Sequence, residues 1–557
     1  MSIPPRAVRR RAPSQMWWWL PVLLLLGGAV TLLAPSFTYI PKPPDSRPYL
    51  VYQGVVQGFP VVAQSEEAYI PFTFVKEIVD PDAVWDGGEV IITTKDKVVK
   101  LKTDSLTAYV NQNPVELRLP VILEGNEPYI PAAVLETVYS LNLFHSPEAG
   151  TVQLKRNDAW VMRGTVKQLA ILREKPSSLA RRRGNLDVGD EVEVFHTDGD
   201  WLRVESSDGL FGYLRARDVY GIEAKPPRAP EGKPYTPKPI PGRKVSLVWE
   251  HVINKNPDPA TLPKMKGLNV VSPTWFHLGP TPGEIVNLAD MRYVDWAHDN
   301  GYQVWALFSN SFDPDLTRAV LRNSSLRDKV ASQILILAEI YSLDGINLDF
   351  ENVYMADAPY LTQFVRELTP LLHQQGLTVS MDVTVRSQSE NWSLCYERDR
   401  LAESVDYMML MAYDQYWASS PVAGPVSAIP WAEWTIQRTL EEVPAEKLVL
   451  GIPFYTRLWR ETESGGAIKV SQEAYSMNGL NNWLSRNGVT PVFDPETGVR
   501  YAEKKIGQDN YKVWIEDKDS IKARLELADK YGLAGVAAWR RGFETLDVWD
   551  VIDEYVK

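Results

Sequence analysis

The last 314 residues alternate between strand-like and helix-like patterns eight times, and this repetition constrains the fold more than any other feature. Amphipathic helical patterns such as 325–341 and 357–375 fall between the candidate strands. Strands that alternate with helices predict a parallel sheet, and eight repeats over this length predict an α/β chain closed into a (β/α)8 barrel. The predicted strands are 244–252, 269–276, 302–309, 344–351, 377–385, 405–413, 447–455 and 533–539.

The fourth predicted strand, DGINLDFE (344–351), carries acids among apolar residues. Even-numbered positions from 346 to 350 are apolar, whereas Asn347, Asp349 and Glu351 are polar. Side chains alternate across a strand, so the polar set shares one face, with Asp349 and Glu351 roughly 6–7 Å apart along it. Active sites of such barrels lie at the C-terminal strand ends, and the acids crowd toward that end. The pattern therefore predicts a buried acidic site.

The composition excludes several classes of function. A net charge of −12 argues against a nucleic-acid partner, because binding phosphate backbones needs basic patches. Cys395 is the single cysteine, which excludes an intrachain disulfide and a cysteine-based zinc site. The six histidines show no metal-ligand spacing, so neither a metal nor another cofactor is expected. Five tryptophans near strand ends are candidates for a sugar cleft: Trp249, Trp275, Trp305, Trp417 and Trp459.

The N-terminal segment predicts a membrane anchor. Residues 1–15 are basic, and the uncharged apolar run within 16–35 is nearly long enough to cross a hydrocarbon core of about 30 Å as a helix. Positive charge before the run places the N-terminus in the cytoplasm and the body outside the cell. A single-pass anchor is the first interpretation, and a cleaved signal peptide that leaves a secreted protein is the alternative. Residues 36–49 are a Pro-rich linker.

Residues 50–156 contain an internal repeat, EEAYIPFTFVKEIV (66–79) and NEPYIPAAVLETVY (126–139). Each copy predicts an extended segment that ends in proline, a short amphipathic helix and then alternating strands. The pattern resembles the N-terminal domain type of copper amine oxidases, a small α+β module. His145 is its only histidine, so no copper site is expected, and a spacer or wall-contact module is the simplest interpretation.

Residues 160–221 show short strands separated by Gly and Asp turns, which predicts a small all-β barrel. The run that includes Gly189–Asp190, Trp201 and Gly212–Tyr213 resembles a bacterial Src-homology-3 domain. That resemblance implies binding of cell-wall peptide, whereas the alternative is a packing domain in which Trp201 belongs to the core. Residues 222–243 are Pro-rich and predict a stiff linker.

Four ordered motifs within residues 244–557 resemble glycoside hydrolase family 18. DGINLDFE matches the family signature Asp-x-x-Asp-x-Asp-x-Glu at three of its four acidic positions. MAYD (411–414) resembles the family's Met-x-Tyr-Asp, GIPFY (451–455) resembles its strand seven, and Trp539 stands where the family has a floor tryptophan. The resemblance covers the whole barrel and implies a chitinase, an endo-β-N-acetylglucosaminidase or a spore-cortex-lytic glucosaminidase.

The resemblance also implies roles for individual residues. Cleaving a glycosidic bond requires protonation of the leaving oxygen, and in this family the acetamido oxygen of the substrate attacks the anomeric carbon. By correspondence, Glu351 is the general acid and later the base, Asp349 bonds the acetamido N–H, and Tyr413 donates to the acetamido oxygen. Substrate binding is implied for Asn347, Met411, Asp414 and Trp539.

Three features complicate this correspondence. Asn347 stands where the family usually has an aspartate, and an amide cannot share a proton with Asp349. We therefore expect a changed rate or pH optimum with activity retained, and a simpler acidic limb of the pH profile. Tyr413 and Asp414 are neighbours, so both can face the site only where the strand ends or bulges. Asp344 has the opposite parity and is predicted to support the strand start through a hydrogen bond.

Together these features predict a cell-surface glycosidase that cleaves β-1,4 bonds after N-acetylglucosamine with retention of configuration. Peptidoglycan is the first substrate, because an anchor and a Src-homology-3-like module keep the enzyme near the wall. Chitin or a protein-linked glycan is the alternative substrate. Two other interpretations stay open: the acids could hold Mg²⁺ or Ca²⁺, and the barrel could be a non-catalytic wall-binding scaffold.

Overall fold

The computed structural model describes residues 47–64, 67–146, 150–227, 235–236, 238–240, 244–464 and 466–557. The predicted anchor lies outside these residues. Among the described residues, no helix combines the length and apolar character needed to cross a membrane. The chain divides into two compact units, and the second combines Val84–Lys100 and Tyr109–Pro114 with the barrel.

Within residues 244–464 and 466–557, eight parallel strands close into a barrel, as the alternating pattern predicts. Strands one to eight are neighbours in chain order, and strand one pairs with both strand two and strand eight. Two short strands, Phe276–Leu278 and Ile285–Asn287, extend the sheet beside strand three. The eight strands are Val245–Glu250, Val270–Pro273, Gln303–Ser309, Gly345–Asp349, Thr378–Thr384, Tyr407–Met411, Leu448–Pro453 and Gly535–Trp539.

Helices join the strands around the outside of the barrel. Asp290, Asp313 and Asn323 cap three of them by accepting hydrogen bonds from first-turn N–H groups. The helices are Met291–Asp299, Pro314–Leu321, Ser324–Ile340, Ala358–Gln374, Arg398–Ser404, Ile429–Thr439, Lys518–Lys530 and Val548–Val556. Shorter helical turns are Pro259–Thr261, Met355–Asp357, Glu390–Leu394 and Ala445–Lys447.

The alternation along strand four is confirmed. Ile346 and Leu348 face outward into the large core between strands and helices. Gly345 begins the strand where a Cβ atom would lie 2.6 Å from the Thr378 carbonyl oxygen and 2.7 Å from the Trp305 ring. Only glycine allows this approach without displacing its neighbours. Because Ile346 and Leu348 face outward, the polar residues Asn347 and Asp349 face the barrel interior.

A five-stranded antiparallel sheet with one helix, Met477–Arg486, is inserted between strands seven and eight. It has its own apolar core, which includes Leu458, Leu480 and Val513. Its first strand starts at Tyr455, two residues after strand seven ends, so its first residues lie near the barrel mouth. In sheet order its strands are Ala467–Ser476, Tyr455–Ser464, Asp509–Ile515, Val499–Ile506 and Val492–Asp494.

The two copies of the N-terminal repeat form equivalent elements, as their sequences predict. Strands Glu67–Pro71 and Glu127–Pro131 pair antiparallel with each other, and each leads into a helix. The helices are Phe72–Phe74, continued by the helical turn Val75–Val79, and Ala132–Tyr139. One sheet has the order Ile122–Glu124, Glu127–Pro131, Glu67–Pro71, Val62–Gln64, and the other Leu141–Ser146, Thr151–Arg156, Tyr49–Tyr52, Val55–Gln57.

The strands that follow the first repeat copy do not alternate in burial, contrary to the prediction from sequence. Every residue of Glu89–Thr93 is buried, and so is Val98–Lys102 except for its last residue. Ile91 and Val98 pack into the large core of the barrel unit, which explains why the solvent-facing positions are lost. The sheet runs in chain order through Val84–Asp86, Glu89–Thr93, Val98–Lys102, Thr107–Val110 and Asn113–Glu116.

The region before the second linker forms one antiparallel sheet, as the short-strand pattern predicts. Trp201 is buried, and the Arg215 guanidinium lies 4.2 Å from its ring centroid. A short helical turn, Ala216–Asp218, precedes the last strand. In sheet order the strands are Arg182–Leu186, Ala170–Arg173, Phe211–Arg215, Trp201–Ser206, Glu191–Asp198, Val161–Val166 and Val219–Lys225.

Candidate active site

Asp349 and Glu351 lie where strand four ends, at the C-terminal mouth of the barrel. Asp349 is the last residue of the strand and is only 9 % exposed. Among the described residues, its Oδ1 has no hydrogen-bond partner. Asn310 holds the backbone of Glu351 from both sides: its Oδ1 accepts from the Glu351 N–H at 3.1 Å, and its Nδ2 donates to the Glu351 carbonyl at 2.7 Å. This amide fixes where the Glu351 side chain leaves the strand.

Burial determines the protonation of both acids. It raises the pKa of Asp349 to about 7. Burial also raises the pKa of Glu351 well above its usual range, and the nearby Asp349 and Asp414 carboxylates add to that rise. Ionisation of Glu351 is therefore disfavoured, and this favours the protonated state that a general acid requires.

Asn347 sits inside the barrel with all its polar groups bonded. Its Oδ1 accepts from Trp249 Nε1 at 2.8 Å and from Ser272 Oγ at 3.2 Å. Its Nδ2 donates to Ser380 Oγ at 3.1 Å and to Asp382 Oδ1 at 2.8 Å. Because an indole N–H can only donate, the Trp249 contact fixes the orientation of the amide. The amide N–H therefore faces the carboxylate of strand five.

Asp382 is a third buried acid of the site, and it was not predicted from the sequence. It lies on strand five, 2 % exposed, on the inner face with Ser380. Burial raises the pKa of Asp382 well above its usual range, the charge on Asp349 raises it further, and the Asn347 hydrogen bond opposes the rise. The available signal was the alternation of polar residues, Ser380 and Asp382, in an otherwise apolar strand.

Tyr413 and Asp414 follow strand six, which ends at Met411. Asp414 has a φ of +57°, so the backbone turns there and neighbouring side chains need not alternate. Its Oδ1 accepts from Arg457 Nη2 at 2.7 Å and from the Tyr455 hydroxyl. Burial raises the pKa of Tyr413 well above its usual range, and its hydroxyl stays a hydrogen-bond donor. Tyr455 and Arg457, from the inserted sheet, were not predicted.

Trp539 ends strand eight and lies close to Trp249 and His251. The ring centroids of Trp539 and Trp249 are 6.1 Å apart, and those of Trp539 and His251 are 5.6 Å apart. The Trp539–Arg540 peptide bond is cis. Trp249, which lies beside Trp539, also donates a hydrogen bond to Asn347 and so connects the two residues.

Asp344 lies at the opposite end of strand four from these residues. Its Oδ2 accepts from the backbone N–H of Val304 at 3.0 Å and contacts His298 Nε2 at 2.8 Å, and Lys238 Nζ lies 3.2 Å from its Oδ1. The carboxylate thus joins the start of strand four to strand three and to the described part of the Pro-rich linker.

Exposed aromatic side chains stand on loops at the same end of the barrel as the acids. Phe312, Trp392 and Trp417 follow strands three, five and six and are 47 %, 44 % and 55 % exposed. Of the tryptophans predicted as cleft candidates, Trp417 alone is exposed. The others are buried: Trp249, Trp275, Trp305 and Trp459. In the part of the chain that the structure describes, no group of three or more His, Cys, Asp or Glu side chains is arranged to hold a metal ion.

Three regions of the chain match family models. Residues 298–544 match glycosyl hydrolases family 18, residues 53–154 match the copper amine oxidase N-terminal domain, and residues 168–220 match the bacterial SH3 domain. These are the three families that the motifs indicate.

Individual relatives match over the barrel. The chain is 25% identical to the uncharacterized glycosylase YvbX of Bacillus subtilis over 289 residues, which are 49% of this chain and 81% of the relative. It is 27% identical to the cortical fragment-lytic enzyme of Bacillus subtilis over 258 residues, 44% of this chain and 58% of the relative. The crystal structure of the spore cortex-lytic enzyme SleL of Bacillus megaterium has the same fold, with a TM-score of 0.51, 19% identity, and coverage of 66% of this chain and 89% of that one.

Proposed function

We propose that this chain, whose residues 298–544 match glycosyl hydrolases family 18, cleaves the β-1,4 bond that follows N-acetylglucosamine in peptidoglycan, with retention of configuration. One observation carries the proposal: Glu351 lies partly buried at the barrel mouth beside Asp349 and Asp414, and these surroundings raise its pKa, which favours its protonated form. A buried carboxylic acid at a sugar-binding mouth is equipped to protonate a leaving glycosidic oxygen.

The remaining groups fit attack by the substrate's own acetamido oxygen. Asp349 bears an unpartnered oxygen among the described residues, which is available to the acetamido N–H as the oxazolinium charge develops. Tyr413 keeps its hydroxyl proton, because burial raises its pKa, and so has a proton to donate to the acetamido oxygen. Asp414, held by Arg457, and Met411 border the same mouth, and Trp539 offers a ring face under the sugar. Glu351, once deprotonated, then removes a proton from the attacking water.

Peptidoglycan is favoured as the substrate for three reasons. Two of the relatives are named for lysis of cortex or of its fragments. The SH3 match gives the chain a module suited to cell-wall peptide. The aromatic side chains on the mouth loops are exposed, and aromatic faces stack on sugar rings. The proposal includes a cell-surface location, with residues 16–35 as an anchor or a cleaved signal. A chitinase or an endo-β-N-acetylglucosaminidase is the second candidate, because the same acid chemistry serves any chain with an N-acetylglucosamine unit.

The test is digestion by the purified full-length chain of three substrates in parallel: peptidoglycan, chitin oligomers and a high-mannose glycan. Mass spectrometry should find peptidoglycan fragments with a reducing N-acetylglucosamine end. Glu351→Gln should release nothing and still bind the polymer, whereas Glu339→Gln, an exposed acid on a barrel helix, should digest it normally. Products from chitin alone would favour the second candidate. No product from any substrate would indicate a non-catalytic scaffold and contradict the proposal.

A further inference from the structure

Strand five places a carboxyl beside Asp349, at the same level of the barrel interior. Leu348 pairs with Met381 in parallel register, so the next residues of the two strands are Asp349 and Asp382. Adjacent strands are about 4.8 Å apart, and both side chains point inward. The two carboxyls are therefore neighbours across the strand pair.

The surroundings of the two carboxyls differ. Asn347 Nδ2 donates to Asp382 Oδ1 at 2.8 Å, and Trp249 provides a second N–H in reach of that carboxyl. Asp349 Oδ1 has no partner among the described residues. The other titratable groups that act on Asp382 are the carboxyl of Glu351 and the hydroxyl of Tyr413. One acid is thus held in place by N–H donors, and its neighbour is free to turn toward a substrate.

We propose that Asp382 is a positioning residue that shares a proton with Asp349, a role that the amide at position 347 cannot perform. The inference rests on the proposed function. When Asp349 must carry charge against the oxazolinium, its proton moves to the Asp382 carboxylate. Asp349 becomes a carboxylate, Asp382 becomes a carboxylic acid, and the total charge is unchanged. The proton returns when the intermediate is hydrolysed. Burial and the repulsion between the two carboxylates oppose loss of the last proton, so the pair retains the one proton that it shares.

Asp382→Asn tests this role, because it keeps the shape of the side chain and removes its acid. We expect kcat to fall about tenfold or more with KM changed by less than about threefold, since the effect acts on the transition state. One ionisation should also disappear from the pH profile of kcat. The double variant Asn347→Asp/Asp382→Asn returns an acid to the neighbourhood of Asp349 and should recover most of the lost kcat.

Asp406→Asn is the matched control: it is a partly buried carboxyl at the other end of strand six, bonded to the Val379 N–H, and should leave kcat and the profile unchanged. Unchanged kcat and pH profile in Asp382→Asn would overturn the inference, as would a double variant no better than the single one. An inactive wild-type chain would count against the proposed function instead. In that case carboxyl titration by infrared difference spectroscopy decides: if Asp382→Asn leaves the ionisation of Asp349 unmoved, the inference is also wrong.

Discussion

Glu367 and Asp349 are both buried in the barrel unit, yet they hold their protons very differently. Glu367 lies between two cations, with Arg327 Nη2 at 2.9 Å and Lys100 Nζ at 3.3 Å, and Gln363 also donates to it. Those cations outweigh burial and lower the pKa of Glu367. Asp349 has no such partner among the described residues, and burial raises its pKa to about 7. Two buried acids therefore have pKa values shifted in opposite directions, and the difference comes from the cations beside Glu367.

A third buried acid lies between these extremes. Glu516 is paired with one cation, Arg524, whose Nη1 lies 2.7 Å from the carboxylate, and both side chains are 1 % exposed. Burial still raises the pKa of Glu516 despite that partner. The three acids form a series in which two cations lower the pKa, one cation partly offsets burial, and none leaves the rise intact. Among the described residues, no cation forms an ion pair with Asp349 or Glu351, and this distinguishes the candidate catalytic acids from Glu367 and Glu516.

The largest expected effect comes from removing one of the two cations that pair with Glu367. Arg327→Met leaves Glu367 with Lys100 alone and should lower the free energy of unfolding by about 3–5 kcal/mol at pH 7. Because the pKa of Glu367 is lowered in the folded state, its stabilising contribution is present above its ordinary pKa and is lost as pH falls through the folded pKa. Urea titrations at pH 7 and pH 4 measure this.

Lys329→Met, an exposed cation on the same helix, is the control and should change stability by less than about 0.5 kcal/mol. Equal destabilisation by Arg327→Met at both pH values would show that Arg327 acts by packing alone.

The next effect has the opposite sign. Asp349→Asn removes an acid whose folded pKa is raised, so it should stabilise the protein on the order of 1–3 kcal/mol at pH 8 while abolishing most activity. The cost of the native carboxyl is present above about pH 7 and disappears as pH falls toward its ordinary pKa. The melting temperature of variant and wild type across pH 5–8 measures the difference. A variant that is less stable than wild type at pH 8 would contradict the claim that the Asp349 carboxylate destabilises the folded state.

The smallest effect concerns Arg457, which partners Asp414 near Glu351. Arg457→Gln leaves the Asp414 charge unpaired, and that charge opposes ionisation of Glu351. The basic limb of the kcat/KM profile should move up by about half a pH unit, as expected for one partly solvated charge. Arg460→Gln, an exposed arginine of the same strand, should leave the limb in place. A downward movement would contradict the assignment of Glu351 as the acid.

The barrel and the acids of strand four could be predicted because their signals are local. Strand alternation depends on neighbouring positions, and Ile346 and Leu348 face the helices as their parity requires. Asp382 was not predicted because a single acid in an apolar strand does not by itself indicate a functional site. Only the register between strands four and five places it beside Asp349. Tyr455 and Arg457 reach Asp414 through an inserted sheet whose position relative to strand six is a long-range property.

Long-range packing also explains the error in the N-terminal region. The alternating pattern after the first repeat copy predicted exposed positions. Ile91 and Val98 instead pack into the barrel core, and Lys100 reaches Glu367 more than 250 residues away along the chain. A local pattern of apolar and polar residues carries no information about a partner so distant along the chain. The sequence could therefore indicate the strands but not the residues that cover them.

The protonation of Glu351 at neutral pH is the claim on which the account depends, and isotope-edited infrared spectroscopy measures it directly. The difference spectrum between the wild type and Glu351→Gln, both with labelled glutamate carboxyls, should contain a protonated carboxylic acid band at pH 7 that disappears only at higher pH. A carboxylate band at pH 7 that persists down to pH 5 would contradict the account.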